Sequence, residues 1–205
     1  MFEQYFKEAV SAITADTALR QKLWSEIRTA YQEPGRHYHN LTHLDNLVTE
    51  LEPLKNEVND WPILILSIAY HDIVYNTLGK NNEAKSADLA YGRLTALGLP
   101  ETSREKCRQQ ILATRGHELS DDADTNYFTD ADLSILGCDS LSYERYAGQI
   151  RREYSFYPDL LYKPGRRKVL VKFLEMKSIF KTKHFRDKYE EQARTNLTAE
   201  LKQLS

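Results

Sequence analysis

Apolar residues recur at intervals of three and four along most of the chain, the period of a helix with one buried face. Phe2, Phe6, Val10 and Ile13 mark a first helix, and Leu19, Leu23, Ile27 and Tyr31 a second that Pro34-Gly35 breaks. A third opens near Asn40, carries Leu41, Leu44, Leu47, Val48 and Leu51, and ends at Pro53. Trp61-Pro62 starts the next, with proline in the first turn, where its missing N–H costs nothing. From Ile63 to about Tyr75 that helix is apolar on all sides, which predicts the buried centre of a bundle. Asn81-Asn82-Glu83 begins a helix through Leu94, stopped by Gly98 and Pro100, and Thr102-Ser103-Arg104-Glu105 reads as a capping signal for one reaching about Thr114.

Residues 116–130 are acidic and lack the period, which predicts the longest loop of the chain. Ala131 to Leu136 then reads as a short apolar helix and Ser142 to about Phe156 as another. Tyr157-Pro158 and Lys163-Pro164-Gly165 separate these from two last helices, about 166–180 and 184–204. With 8 Gly and 6 Pro in 205 residues there are few turn formers, which favours long helices over many short strands. No repeat or linker divides the chain. The expectation is one all-α domain, a helical bundle over residues 1–205, with 165–205 as a helical pair that can form an appendage.

Composition narrows the function. With 28 Lys+Arg against 30 Asp+Glu, no global field draws the chain to nucleic acid or membrane. The longest apolar run, 61–70, is about half the ~20 residues that a bilayer requires. Residues 1–10 mix charges with aromatics, unlike a signal peptide. Cys107 and Cys138 form no metal or redox motif, and free thiols in a reducing cytoplasm are expected.

The chemistry sits in the histidines. His39 and His43 are four apart at the start of the third helix, so both should face one side. His71-Asp72 stands at the far end of the most apolar helix, where a buried carboxylate must be paired or must bind a metal. Asp132 stands where the acidic stretch meets an apolar one. Each group lies at the junction of a core helix with a loop. Imidazole and carboxylate without thiolate suit Mn²⁺, Fe²⁺, Co²⁺, Ni²⁺ or Zn²⁺, with Mg²⁺ a further candidate, rather than a structural zinc or an all-oxygen calcium site. Such an ion activates water and polarises a phosphoryl oxygen.

The ordered set His43, His71-Asp72 and Asp132 resembles the H…HD…D ligands of the HD-domain superfamily of metal-dependent phosphohydrolases. The strings Tyr38-His39-Asn40-Leu41-Thr42-His43, Ala69-Tyr70-His71-Asp72-Ile73-Val74-Tyr75 and Asp130-Ala131-Asp132-Leu133-Ser134-Ile135-Leu136-Gly137 resemble in particular its branch of small bacterial proteins. That resemblance implies a helical bundle and hydrolysis of a phosphate ester or anhydride, with His43, His71, Asp72 and Asp132 as metal ligands. The string around His39 is also similar to that of cyclic-nucleotide phosphodiesterases, a distant branch. There the first histidine protonates the leaving oxygen, which makes His39 the general acid. Asp72 would bridge any second ion, and His117 and Glu83 are spare groups that could complete such a site. Beyond Asp72, Ile73-Val74-Tyr75 supplies no further ligand.

Glu83 reads either as a helix-start carboxylate or as a water-orienting residue. Arg36 and His117 are candidates for substrate contact, although exposed loop residues of these types are commonly only solvated. Residues 163–188 hold ten Lys and Arg against Glu175 and Asp187; this is chiefly a solvated helix face, with Arg166 and Arg167 best placed to reach a phosphate. The expected partner is a small phosphorylated molecule of nucleotide type. The rival reading is a non-catalytic helical module that binds metal and nucleotide, favoured by the missing second-metal ligands and the basic C-terminal stretch.

Overall fold

The computed structural model describes residues 1–204. It is all-α: ten helices and two short 3₁₀ turns, with no strand among the described residues. The helices are α1 (Phe2–Ile13), α2 (Thr17–Tyr31), α3 (Leu41–Leu51), α4 (Trp61–Tyr70), α5 (Asn82–Ala96), α6 (Glu101–Ala113), α7 (Ala123–Leu133), α8 (Ser140–Glu153), α9 (Asp159–Glu175) and α10 (Lys183–Gln203). The 3₁₀ turns, Glu52–Leu54 and Ser134–Gly137, follow α3 and α7. None of the described helices is long and apolar enough to cross a membrane.

The chain forms two compact units, Met1–Thr129 and Asp130–Ser205, and α7 runs through the division as one unbroken helix. In the first unit α4 is the core element. Every residue from Ile63 to Tyr70 is buried, and α1, α3, α5 and α6 all pack against it, as its all-round apolar sequence requires. Asp60 caps α4 by accepting the Ile63 N–H, and Pro62 occupies the first turn. In the second unit α10 packs on α9 and on the turn Ser134–Gly137. Contact there is close enough that a Cβ on Gly137 would lie 2.5 Å from Cβ of Tyr189.

Five segments differ from the sequence expectation. The predicted loop 116–130 is helical from Ala123, and 131–136 is not a separate helix: α7 ends at Leu133 and a 3₁₀ turn follows. The inner face of α7 is Asp124, Thr125, Phe128 and Thr129, buried at helical spacing but mostly polar, so hydrophobicity conceals it. Asp124 is fully buried because it is fully bonded, accepting from the Asn59 and Asp60 N–H groups, the Asn59 side chain and Lys106. α9 begins at Asp159 and continues through Pro164, which was expected to interrupt it. α6 starts at Glu101 behind Pro100, with no side-chain cap from the Thr102-Ser103 pair. α4 ends at Tyr70, five residues early, because the next carbonyls bond elsewhere.

Candidate metal centre

That early end of α4 builds one wall of the site. His71 is the C-terminal cap, and the segment after it is held by side chains from three places. Arg36 donates to the carbonyls of Asp72 (2.7 Å) and Ile73 (2.9 Å), Tyr31 Oη accepts the Asp72 N–H, and Ser86 Oγ accepts the Val74 N–H. Backbone groups that a longer helix would have bonded internally are thus satisfied in an irregular segment. The opposite wall is the start of α3. Asn40 caps it by accepting the Thr42 N–H at 2.9 Å and donates to the His37 carbonyl, so His43 falls in the first turn, directed inward and 3% exposed.

His43 and His71 meet through their Nε2 atoms at 3.2 Å. The His71 Nδ1 lies 2.9 Å from the Ile68 carbonyl, which can only accept, so Nδ1 carries a proton and Nε2 is the atom that can take a cation. Nε2 faces the His43 nitrogen and also Asp72 Oδ2, at 3.1 Å. A lone pair directed at a carboxylate is repulsive unless a proton or a cation lies between them. Burial would raise the Asp72 carboxyl, but the adjacent His71, with His39 and His43 behind it, holds it well below the usual carboxylate range.

Asp132 lies in the last turn of α7, one turn beyond Phe128, whose ring stands edge-on to His71 with centroids 5.6 Å apart. His43, His71 and Asp132 each offer one ligand atom, and the three atoms lie within 4.8 Å of one another. Two imidazoles and a carboxylate at this spacing could hold a divalent metal ion. The donor set fits one: the His71 tautomer is fixed by an outer hydrogen bond, as metal-ligating histidines normally are.

His39 precedes the cap of α3 and so is not on the helix, as the four-residue spacing had suggested, yet its ring still reaches His43, with centroids 5.7 Å apart. Its Nε2 is 3.8 Å from Asp72 Oδ2, and the ring lies against Tyr75 at 4.4 Å. Tyr38 and Tyr75 belong to the quoted sequence strings, and Tyr75 reads there as a core tyrosine or one that stacks on a base. The structure makes them the aromatic walls around His39 and His43.

The remaining candidates lie elsewhere. Glu83 is in the first turn of α5, and His117 follows α6 with a positive φ of 54°, its N–H on the Ala113 carbonyl; neither belongs to the His43–His71–Asp132 group. Arg36 is buried with its terminal nitrogens on carbonyls and its guanidinium over Tyr31 and Tyr75, which makes it a clamp on the 71–75 segment. Arg166 is buried within α9 and forms a two-point pair with Glu200, each contact 2.8 Å, while Arg167 reaches the Leu201 carbonyl. Comparison with protein-family models, with curated proteins and with solved structures gives no match.

Proposed function

We propose that the protein is a metal-dependent phosphohydrolase of the HD-domain type, acting in the cytoplasm on a small phosphorylated molecule of nucleotide class. The observation that carries this reading is the approach of His43 Nε2 to His71 Nε2 at 3.2 Å with Asp132 in ligand range, matching the ordered motifs of the sequence. His43, His71 and Asp132 would hold the ion, with Asp72 beside them. Bound there, a divalent cation supplies Lewis acidity toward a phosphoryl oxygen and toward water.

The other tasks fall to the chain itself. His39, 19% exposed, holds a proton at Nε2 for the leaving oxygen, and the Asp72 carboxylate is the counter-charge that its imidazolium needs. Tyr75 covers one face of the His39 ring and limits its orientations. Arg36 keeps Asp72 in place through the backbone.

The test is a panel of nucleotides offered to the purified protein with Mn²⁺, with released phosphate as the readout. Turnover of at least one member is expected. Tight nucleotide binding with no hydrolysis of any member would replace the enzyme with a metal- and nucleotide-binding module.

A further inference from the structure

Within the second unit, the corner between α8 and α9 presents apolar side chains to solvent. The chain turns there through residues 154–158, and Phe156 in that turn is 76% exposed. Leu160 and Leu161, in the first turn of α9, are 83% and 61% exposed. Side chains exposed to that degree project from the surface instead of lining a groove. The sequence of α9 accounts for it: of 17 residues only Arg166 and Leu170 are buried, and from Asp159 to Gly165 only Tyr162 is half-buried. One exposed leucine is ordinary, but three large apolar side chains within residues 156–161 form a patch.

Cations and aromatic rings accompany the patch. Residues 151–172 hold seven Lys and Arg against Glu153 and Asp159. Glu153 is buried and Asp159 is paired with Arg151 at 2.7 Å, so neither carboxylate offsets the outer cations. Arg152, Lys163 and Lys168 are exposed, and Lys168 lies two turns beyond Leu161 on the same stripe of α9. The local field is therefore positive although the chain as a whole is nearly neutral. Three half-buried tyrosines flank the patch. The Tyr154 ring lies 6.0 Å from that of Tyr157 and 6.1 Å from that of Tyr162, and Phe156 stands edge-on to Tyr157 at 6.3 Å.

We propose that this corner docks the protein peripherally on an anionic lipid bilayer. Phe156, Leu160 and Leu161 enter the boundary of the acyl chains, the tyrosines sit at headgroup level, and Arg152, Lys163 and Lys168 meet lipid phosphates. An acidic protein would satisfy the cations but would need a pocket for each projecting side chain, whereas acyl chains need none. Three inserted side chains give only weak attachment by themselves, and the cations supply the second signal that stable attachment requires. The proposal is independent of the metal centre and of hydrolysis.

The test is flotation of the full chain with vesicles of phosphatidylcholine alone and of a two-to-one mixture with phosphatidylglycerol. Binding to the mixed vesicles should be at least about tenfold tighter and should fall as salt is raised. Leu160→Ser with Leu161→Ser, and separately Lys163→Glu with Lys168→Glu, should each weaken it at least about tenfold. Leu119→Ser, at a leucine of the first unit that is also exposed, should change nothing. No binding to mixed vesicles, or binding by the leucine variant within about twofold of wild type, overturns the proposal. If the leucine variant does not fold, Phe156→Trp decides: its emission must move to shorter wavelength on mixed vesicles, and no shift overturns the proposal. Sedimentation velocity without lipid covers the rival occupant, since a dimer that Leu160→Ser abolishes assigns the corner to a second copy of the chain and overturns membrane docking.

Discussion

His43 and His71, 28 positions apart in the chain, direct their Nε2 atoms at one another across 3.2 Å, and Asp72 Oδ2 lies 3.1 Å from the second of them. With Nδ1 of His71 on the Ile68 carbonyl, the two Nε2 atoms are placed to share one cation. Mn²⁺ at about one hundred times its Kd should add about 2.7 kcal/mol to stability. For a chain of this size that is a rise in Tm of roughly 5–10 °C, measured by calorimetry with and without chelator. His43→Ala and Asp132→Ala should each abolish the rise and lower bound metal measured by mass spectrometry. An unchanged metal-to-protein ratio in both variants removes the site.

Separation of acid from ligand is the second expectation. His39→Ala should leave metal content as in wild type, because His39 is outside the ligand group. Turnover should fall by about 10²–10⁴, the usual worth of a positioned general acid. Loss of metal in His39→Ala would make it a ligand instead.

Acid should weaken the second unit through Glu200. Burial works to raise its carboxyl, but the hydrogen bond and charge of Arg166 and the Tyr143 hydroxyl prevail and hold it below the ordinary value of 4.5. A folded-state value below the unfolded one means that the stabilisation is complete above about pH 4.5 and is lost as pH falls through the folded value. Glu200→Gln leaves Arg166, 7% exposed, without a counter-charge and should cost about 3–5 kcal/mol at neutral pH. It should also flatten the acid limb of stability, as urea unfolding at neutral pH and near pH 3.5 will show. Equal slopes for variant and wild type would assign acid sensitivity to other carboxylates.

Packing of Gly137 predicts a purely steric effect. A Cβ there would meet the Tyr189 carbonyl oxygen at 2.6 Å and its Cα at 2.8 Å, atoms that belong to α10 backbone. Gly137→Ala should therefore destabilise by about 1–3 kcal/mol in denaturant titration. Adding Tyr189→Ala should give no rescue, since backbone atoms remain in the way; recovery in the double variant would place the clash in the side chain.

Much of the fold was legible. The boundaries of α1, α2, α3 and α5 follow from apolar spacing plus Asn40, Gly98 and the prolines, all acting within a turn or two of the chain. The burial of α4 followed from its uniform apolarity. α7 was not legible because its buried face is Asp124 and Thr125 as much as Phe128, and a buried carboxylate is recognisable only once Asn59, Asp60 and Lys106 come to meet it. Pro164 likewise punctuates in sequence yet is accommodated within α9.

At the candidate site the sequence determined which residue types recur and in what order, because the chemistry of imidazole and carboxylate is carried by the residues themselves. It also determined that the chain is helical, since a 3.6-residue period is a local property. Tertiary structure alone decided which donors converge and which are already occupied. Arg36 and Arg166 are identical to any free arginine in sequence, and only the carbonyls of Asp72 and Ile73 and the carboxylate of Glu200 take them out of play. Asp130 is likewise an ordinary acid in sequence, and only the Lys181 and Thr182 N–H groups, the Thr182 hydroxyl and the Lys181 ammonium at 3.3 Å make it a buried, fully engaged carboxylate. Hydrogen-bond satisfaction is a property of neighbours in space, and neighbours distant in sequence are assigned by packing.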